Sequence, residues 1–182
     1  MVTPFLKDGS IDDERFSALT ERQIKGGVKL IVPCGTTGES VTMSEGERLR
    51  VIKLAVEAAH KSGARVIAGT GSNNTAATIE FTRKAREAGA DAALIVVPYY
   101  NKPTQEGLFA HFSEIAKSVR EIPIMLYNVP SRTASNISAE TTLRLAERHE
   151  NIVATKEESG NYSQIMEIIS GRPRNFKVFA GD

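Results

Sequence analysis

The sequence is short of the residue types that announce several common functions. Cys34 is its one cysteine, so no intramolecular disulfide can form, and no cysteine or histidine spacing matches a structural zinc site. A reducing cytoplasm is the expected compartment. Charge of one sign is lacking too: 23 lysines and arginines face 22 acidic residues, with no basic cluster interleaved with aromatics. Nucleic acid is therefore not an expected partner. Long apolar runs are missing, the stretch from Ala92 to Pro98 being far too short for a bilayer, and the amino terminus has no basic segment followed by an apolar one. Neither export nor membrane insertion is expected. What remains, 41% apolar and 25% charged residues over 182 positions, is an ordinary globular composition that predicts one domain over 1–182.

Short β-branched runs alternate with helical patterns along the whole chain. Leu30–Val32, Val66–Ala68, Ala93–Val97, Ile124–Tyr127, Ile152–Thr155 and Lys177–Phe179 read as buried parallel strands, and Val2–Thr3 as a seventh. Helix starts are marked by Ser44 with Glu47, and by Ser138 with Glu140. Gly63, Gly89 and Gly171 each follow a helical stretch, where a left-handed residue can close the helix. This βα repeat fits either an open doubly wound sheet or a closed barrel. The unusual residues favour the barrel, because they fall at the carboxyl ends of strands, where barrel chemistry collects.

Lys156 follows the apolar run Ile152-Val153-Ala154-Thr155, so its amine should emerge at a strand end. Burial there would disfavour the ammonium and leave an amine nucleophilic toward a carbonyl; the plainer reading is a solvated loop lysine. Tyr127 ends the preceding strand and could move protons, or be a half-buried core tyrosine. The turn Gly35-Thr36-Thr37-Gly38 offers amides and hydroxyls suited to a carboxylate, although such turns also simply join strands to helices. Arg132 could grip a carboxylate or be a surface arginine. Gly69-Thr70-Gly71-Ser72-Asn73-Asn74 lacks the third glycine of a dinucleotide loop and the lysine of a P-loop, so no nucleotide is assigned to it. His60, His111 and His149 are scattered through helical stretches and read as surface or packed residues, and no metal is expected. Cys34 has no histidine base near it in the pattern.

Five ordered segments carry a resemblance: Gly35-Thr36-Thr37-Gly38-Glu39-Ser40, Ala68-Gly69-Thr70-Gly71-Ser72-Asn73, Pro98-Tyr99-Tyr100-Asn101-Lys102-Pro103, Tyr127-Asn128-Val129-Pro130-Ser131-Arg132-Thr133 and Lys156-Glu157. Together they closely resemble the dihydrodipicolinate synthase (4-hydroxy-tetrahydrodipicolinate synthase) family of pyruvate-dependent class I aldolases. The resemblance implies an α/β fold, the TIM (β/α)8 barrel, and condensation of pyruvate with L-aspartate 4-semialdehyde on the route to diaminopimelate and lysine. It implies a homotetramer built from tight dimers, and no cofactor, since an imine between pyruvate and Lys156 serves as the electron sink. Tyr127 would be the proton relay, Thr36 would link it to Tyr100, and Thr36-Thr37 would hold the carboxylate of pyruvate. The tyrosine at the Tyr100 position reaches a neighbouring subunit in this family. Arg132 would receive the semialdehyde's carboxylate, and with the Gly-Thr-Thr turn it favours the synthase over sialic acid lyase and the keto-deoxy sugar acid aldolases.

Two departures from the family pattern follow. Glu45, Arg48 and Ala77 stand where lysine-inhibited relatives place histidines and a glutamate, while Ser40, Asn73 and Tyr99 remain. A lysine amine would lack a compensating carboxylate, so weak or absent lysine inhibition is expected. The family also continues through an eighth strand and a carboxyl-terminal helical region beyond Gly181-Asp182. An incomplete barrel of about seven strands is thus expected, with unpaired edges. Two further readings stay open: a non-catalytic fragment of the synthase, and an open α/β protein that binds an anion at the Gly-Thr-Thr turn without turnover.

Overall fold

The computed structural model describes residues 1–181; Asp182, included in the sequence reading, lies outside the described residues. The chain forms two compact units, Met1–Gly69 with Arg83–Ala93, and Thr70–Thr82 with Leu94–Asp182. Among the described residues the strands number six and follow one another in chain order within each unit.

The first unit holds α1 (Asp13–Lys25), β1 (Leu30–Ile31), α2 (Glu45–His60) and β2 (Arg65–Gly69). α1 begins where Asp12 accepts a hydrogen bond from the Arg15 N–H. α2 begins with a capping box: Ser44 and Glu47 satisfy each other's backbone amides, which fixes the helix start that the spacing implied. β1 pairs in parallel with β2, and the apolar side chains of Ile31, Val66 and Ala68 pack into the core with Phe16, Val51 and Ile52. Gly63 closes α2 in the left-handed region, with φ of 70°. The Val2–Thr3 segment is not a strand. A strand needs a ladder of main-chain bonds, whereas this segment is tied by single contacts: the Met1 amino group to the Val32 carbonyl at 3.1 Å, and Thr3 Oγ1 to the Gly38 carbonyl at 2.8 Å.

α3 (Thr75–Glu87) and β3 (Ala92–Val96) each have residues in both units. Gly89, between them, has φ of 98° as expected of a helix-closing glycine.

The second unit continues with α4 (Gln105–Ser118), β4 (Ile124–Asn128), α5 (Pro130–Thr133), α6 (Ala139–Arg148), β5 (Ile152–Glu157), α7 (Tyr162–Gly171) and β6 (Lys177–Ala180). Thr104, Ser138 and Asn161 cap α4, α6 and α7 through their side chains. β4, β5 and β6 lie side by side in parallel. Ile124, Leu126, Ile95, Leu108 and Ile115 are fully buried, and α6 packs on α4, α7 and β5. Gly171 departs from the expected role: it is the last residue of α7, with no positive φ. Its smallness serves packing instead, since a Cβ there would lie 2.7 Å from Leu143 Cδ1.

Candidate active site

The register of β4 against β5 builds the site. Ile124 faces Ile152, but Met125 faces Ala154, so Val153 has no partner and the ladder shifts by one residue. Beyond the shift Tyr127 stands opposite Lys156 and Asn128 opposite Glu157. Neighbours across a parallel ladder share a face and alternate along the strand, so an unshifted ladder would set Lys156 on the face opposite Tyr127. The irregularity therefore brings the two residues together. Lys156 Nζ lies 4.3 Å from the centroid of the Tyr127 ring.

Glu158 completes this cluster. One residue past β5, its N–H donates to the Asn128 carbonyl at 2.8 Å and prolongs the ladder. Its Oε1 is 2.6 Å from Lys156 Nζ, and its Oε2 accepts from the Tyr127 hydroxyl at 3.1 Å. The Tyr127 residue is 4% exposed, and the Lys156 and Glu158 side chains are 29% and 16% exposed. The expected desolvated amine is thus met in part: Lys156 is mostly covered, but a carboxylate accompanies it. The sequence reading stopped at Lys156-Glu157 and missed Glu158. The signal was the spacing, because residues two apart at a strand end share a face.

A second network fixes the same strand ends from the other face. Glu157 is 2% exposed and accepts from Asn128 Nδ2 at 3.0 and 3.2 Å and from the Ser159 N–H at 3.0 Å. Asn128 Nδ2 also reaches Asn136 Oδ1 at 2.8 Å, and Asn136 bonds Gln164 at 2.9 Å. With their polar atoms paired, the buried Asn128 and Glu157 hold the backbone of Tyr127 and Lys156 in register.

The other expected residues lie on turns. Arg132 is exposed in the one-turn helix α5, just after β4. Tyr100 is 89% exposed with φ of 71°, a left-handed conformation uncommon for a tyrosine. Thr36 and Thr37, both exposed, belong to the first unit, where with the buried Gly38 they form a 3₁₀ turn after β1. The glycines of the Gly69-Thr70-Gly71 segment serve close backbone approach: a Cβ on Gly69 would fall 2.1 Å from the Cys34 carbonyl oxygen, and one on Gly71 2.4 Å from the Val96 nitrogen.

The cysteine and histidines have structural partners. Cys34 is buried, and burial pushes its thiol up to about 11. His60 pairs with Asp91, and His149 with the Ser113 hydroxyl, each at 2.9 Å. His111 bonds the Thr75 hydroxyl at 2.8 Å, and burial pulls its pKa down to about 4. Among the described residues no group of three or more histidine, cysteine or acidic side chains is arranged to hold a metal ion.

Comparison with known proteins places the chain in a family. The dihydrodipicolinate synthetase family matches residues 1–182. The chain belongs to that family. Over all 182 residues it is 49% identical to a 4-hydroxy-tetrahydrodipicolinate synthase of Chlorobium chlorochromatii, of which it covers 61%. A solved dihydrodipicolinate synthase from Aquifex aeolicus superposes with a TM-score of 0.95 at 47% identity, covering 100% of this chain and 61% of that one. The enzyme of Acinetobacter baumannii, solved complexed with pyruvate, has a TM-score of 0.95 at 46% identity, with 100% and 62% covered. This family member thus spans about three fifths of the length of such relatives. Its fold is the expected α/β class of the family's TIM barrels, represented by six strands among the described residues rather than seven.

Proposed function

We propose that the chain serves the family's reaction, the Schiff-base condensation of pyruvate with L-aspartate 4-semialdehyde to 4-hydroxy-tetrahydrodipicolinate. One observation carries the reading: a mostly covered lysine amine lies over the ring of a tyrosine on one face of adjacent strand ends, 4.3 Å from its centroid. Imine formation needs such an amine, with a proton donor and acceptor in reach. Lys156 would attack the keto carbon of pyruvate, and loss of a methyl proton from the iminium would give the enamine that attacks the aldehyde. The iminium itself accepts the electron pair, so the proposal calls for neither metal nor organic cofactor.

The motif assigns the carboxylate of pyruvate to Thr36 and Thr37, the semialdehyde's carboxylate to Arg132, and a relay position to Tyr100. Exposure of the strained Tyr100 suits a role completed by a second copy of the chain, in keeping with the homotetramer proposed for the whole protein. A cytoplasmic place in lysine and diaminopimelate biosynthesis belongs to the same proposal. Arg132 and the Gly-Thr-Thr turn favour the synthase over the sugar acid lyases.

The test is a condensation assay with both substrates. Product that requires pyruvate and disappears in Lys156→Ala is expected, whereas turnover of a sialic or keto-deoxy sugar acid in place of the semialdehyde would move the chain to the related lyases. Millimolar lysine is expected to leave the rate nearly unchanged, because Ala77 and Glu45 cannot reproduce the lysine-binding pattern; strong inhibition would contradict this.

A further inference from the structure

Imine formation at Lys156 requires protons to move. An amine that attacks a carbonyl must first give up a proton, and the carbonyl oxygen must gain one before it leaves as water. Both groups that would handle these protons touch the same carboxylate. Glu158 Oε1 is 2.6 Å from Lys156 Nζ, and Oε2 takes the Tyr127 hydroxyl hydrogen bond at 3.1 Å.

We infer that Glu158 is a further catalytic residue, the carrier that moves protons between Lys156 and Tyr127 during imine formation within a single chain. The inference rests on the Schiff-base reading. In the first step the Lys156 ammonium passes a proton to Oε1, and the freed lone pair forms the N–C bond while the carbonyl π pair moves onto oxygen. Tyr127 protonates that oxygen and is reprotonated by Glu158 once rotation of the carboxyl group has carried the proton from the Lys156 side to the Tyr127 side, which leaves Glu158 a carboxylate again. The nitrogen then yields a second proton by the same path, the hydroxyl is protonated by Tyr127, and the C–O bond breaks to release water. What remains is the protonated imine, so one ammonium and one carbonyl have become one iminium and one water, with Glu158 and Tyr127 unchanged.

Geometry separates Glu158 from its neighbour. Glu157 faces the opposite side of β5, is 2% exposed, and spends its oxygens on Asn128 and Ser159. Glu158 is held from its backbone by the Asn128 carbonyl, so its side chain springs from a fixed ladder position rather than from a free loop. Its two oxygens are divided between the two reacting partners, as a carrier requires.

The experiment follows the rate at which pyruvate becomes trapped on Lys156 by borohydride, in the wild-type chain and in Glu158→Gln and Glu158→Ala. Glu158→Gln keeps size and hydrogen bonding but cannot carry a proton; its circular dichroism and thermal midpoint report folding. Both variants are expected to trap pyruvate roughly 100-fold more slowly, the lower range for loss of a general acid–base group. Added formate is expected to restore part of the rate in Glu158→Ala, where it can occupy the vacated space. Wild-type rates in Glu158→Gln, or slow trapping in Glu158→Ala alone without recovery in formate, would reduce Glu158 to a packing role and overturn the inference. Failure of the wild-type chain to form any adduct would instead bring down the Schiff-base reading itself, and this one with it.

Discussion

At the scale of single residues, the position of Lys156 and Tyr127 at strand ends was legible because such ends in a βα repeat can be located from β-branched runs and the residues that follow them. The placement of Glu158 beside them was not, since it depends on a side-chain direction that only the ladder past Asn128 fixes. Lys156→Arg should keep the positive charge beside Glu158 yet form no imine, because a guanidinium is not a nucleophile at ordinary pH. Tyr127→Phe should still accept pyruvate on Lys156 but about 100-fold more slowly, measured by single-turnover trapping. Cys34 gives a contrasting case. It stands beside the Gly-Thr-Thr turn, but it is 3% exposed and burial pushes its thiol up to about 11, so little thiolate exists near neutrality. Iodoacetamide at pH 8 should therefore label Cys34 only after denaturation; rapid labelling of the native chain would contradict this placement.

Elements carry the precision of the site. Helix starts were readable from caps: Ser44 and Glu47 form the box that their spacing implied, and Ser138 caps α6. Strand register was not readable, because the one-residue shift at Val153 leaves no mark in composition. Gly171 misled for a related reason, its smallness answering to Leu143 across the α6–α7 contact rather than to a turn. The Asn128–Glu157 pair, on the face opposite Tyr127 and Lys156, should matter for stability first. Asn128→Ala would leave the buried Glu157 carboxylate short of its side-chain donor, an expected loss of about 1–3 kcal/mol in denaturant unfolding. A neutral effect would mean that water replaces the amide there.

For the molecule as a whole, the alternation of strands and helices and the family were evident from the sequence. The count of strands was not, because Val2–Thr3 has strand-like side chains but no ladder to join. Acid stability is set by groups that no sequence pattern identifies. His111 is buried and its pKa is pulled down to about 4, while His149 is lowered by burial and then by Lys117, Arg148 and Arg120. In the unfolded chain a histidine takes up its proton near pH 6.5. The native state therefore has the full benefit of a neutral His111 above that pH and loses it progressively as pH falls toward 4. For His111 the loss is of order 3 kcal/mol across that window. The thermal midpoint should fall between pH 6.5 and 4, and less steeply in His111→Gln. An equal slope in the variant would assign the acid sensitivity to other groups.

The proposed chemistry requires Lys156 to be a carbonyl-reactive amine. Incubating the purified chain with pyruvate, reducing with borohydride and mapping the adduct by peptide mass tests this directly. One pyruvyl group on the peptide containing Lys156, absent without pyruvate or without reduction, is the expected result. A folded chain that acquires no adduct, or acquires it on surface lysines with Lys156 unmodified, would contradict imine chemistry at Lys156.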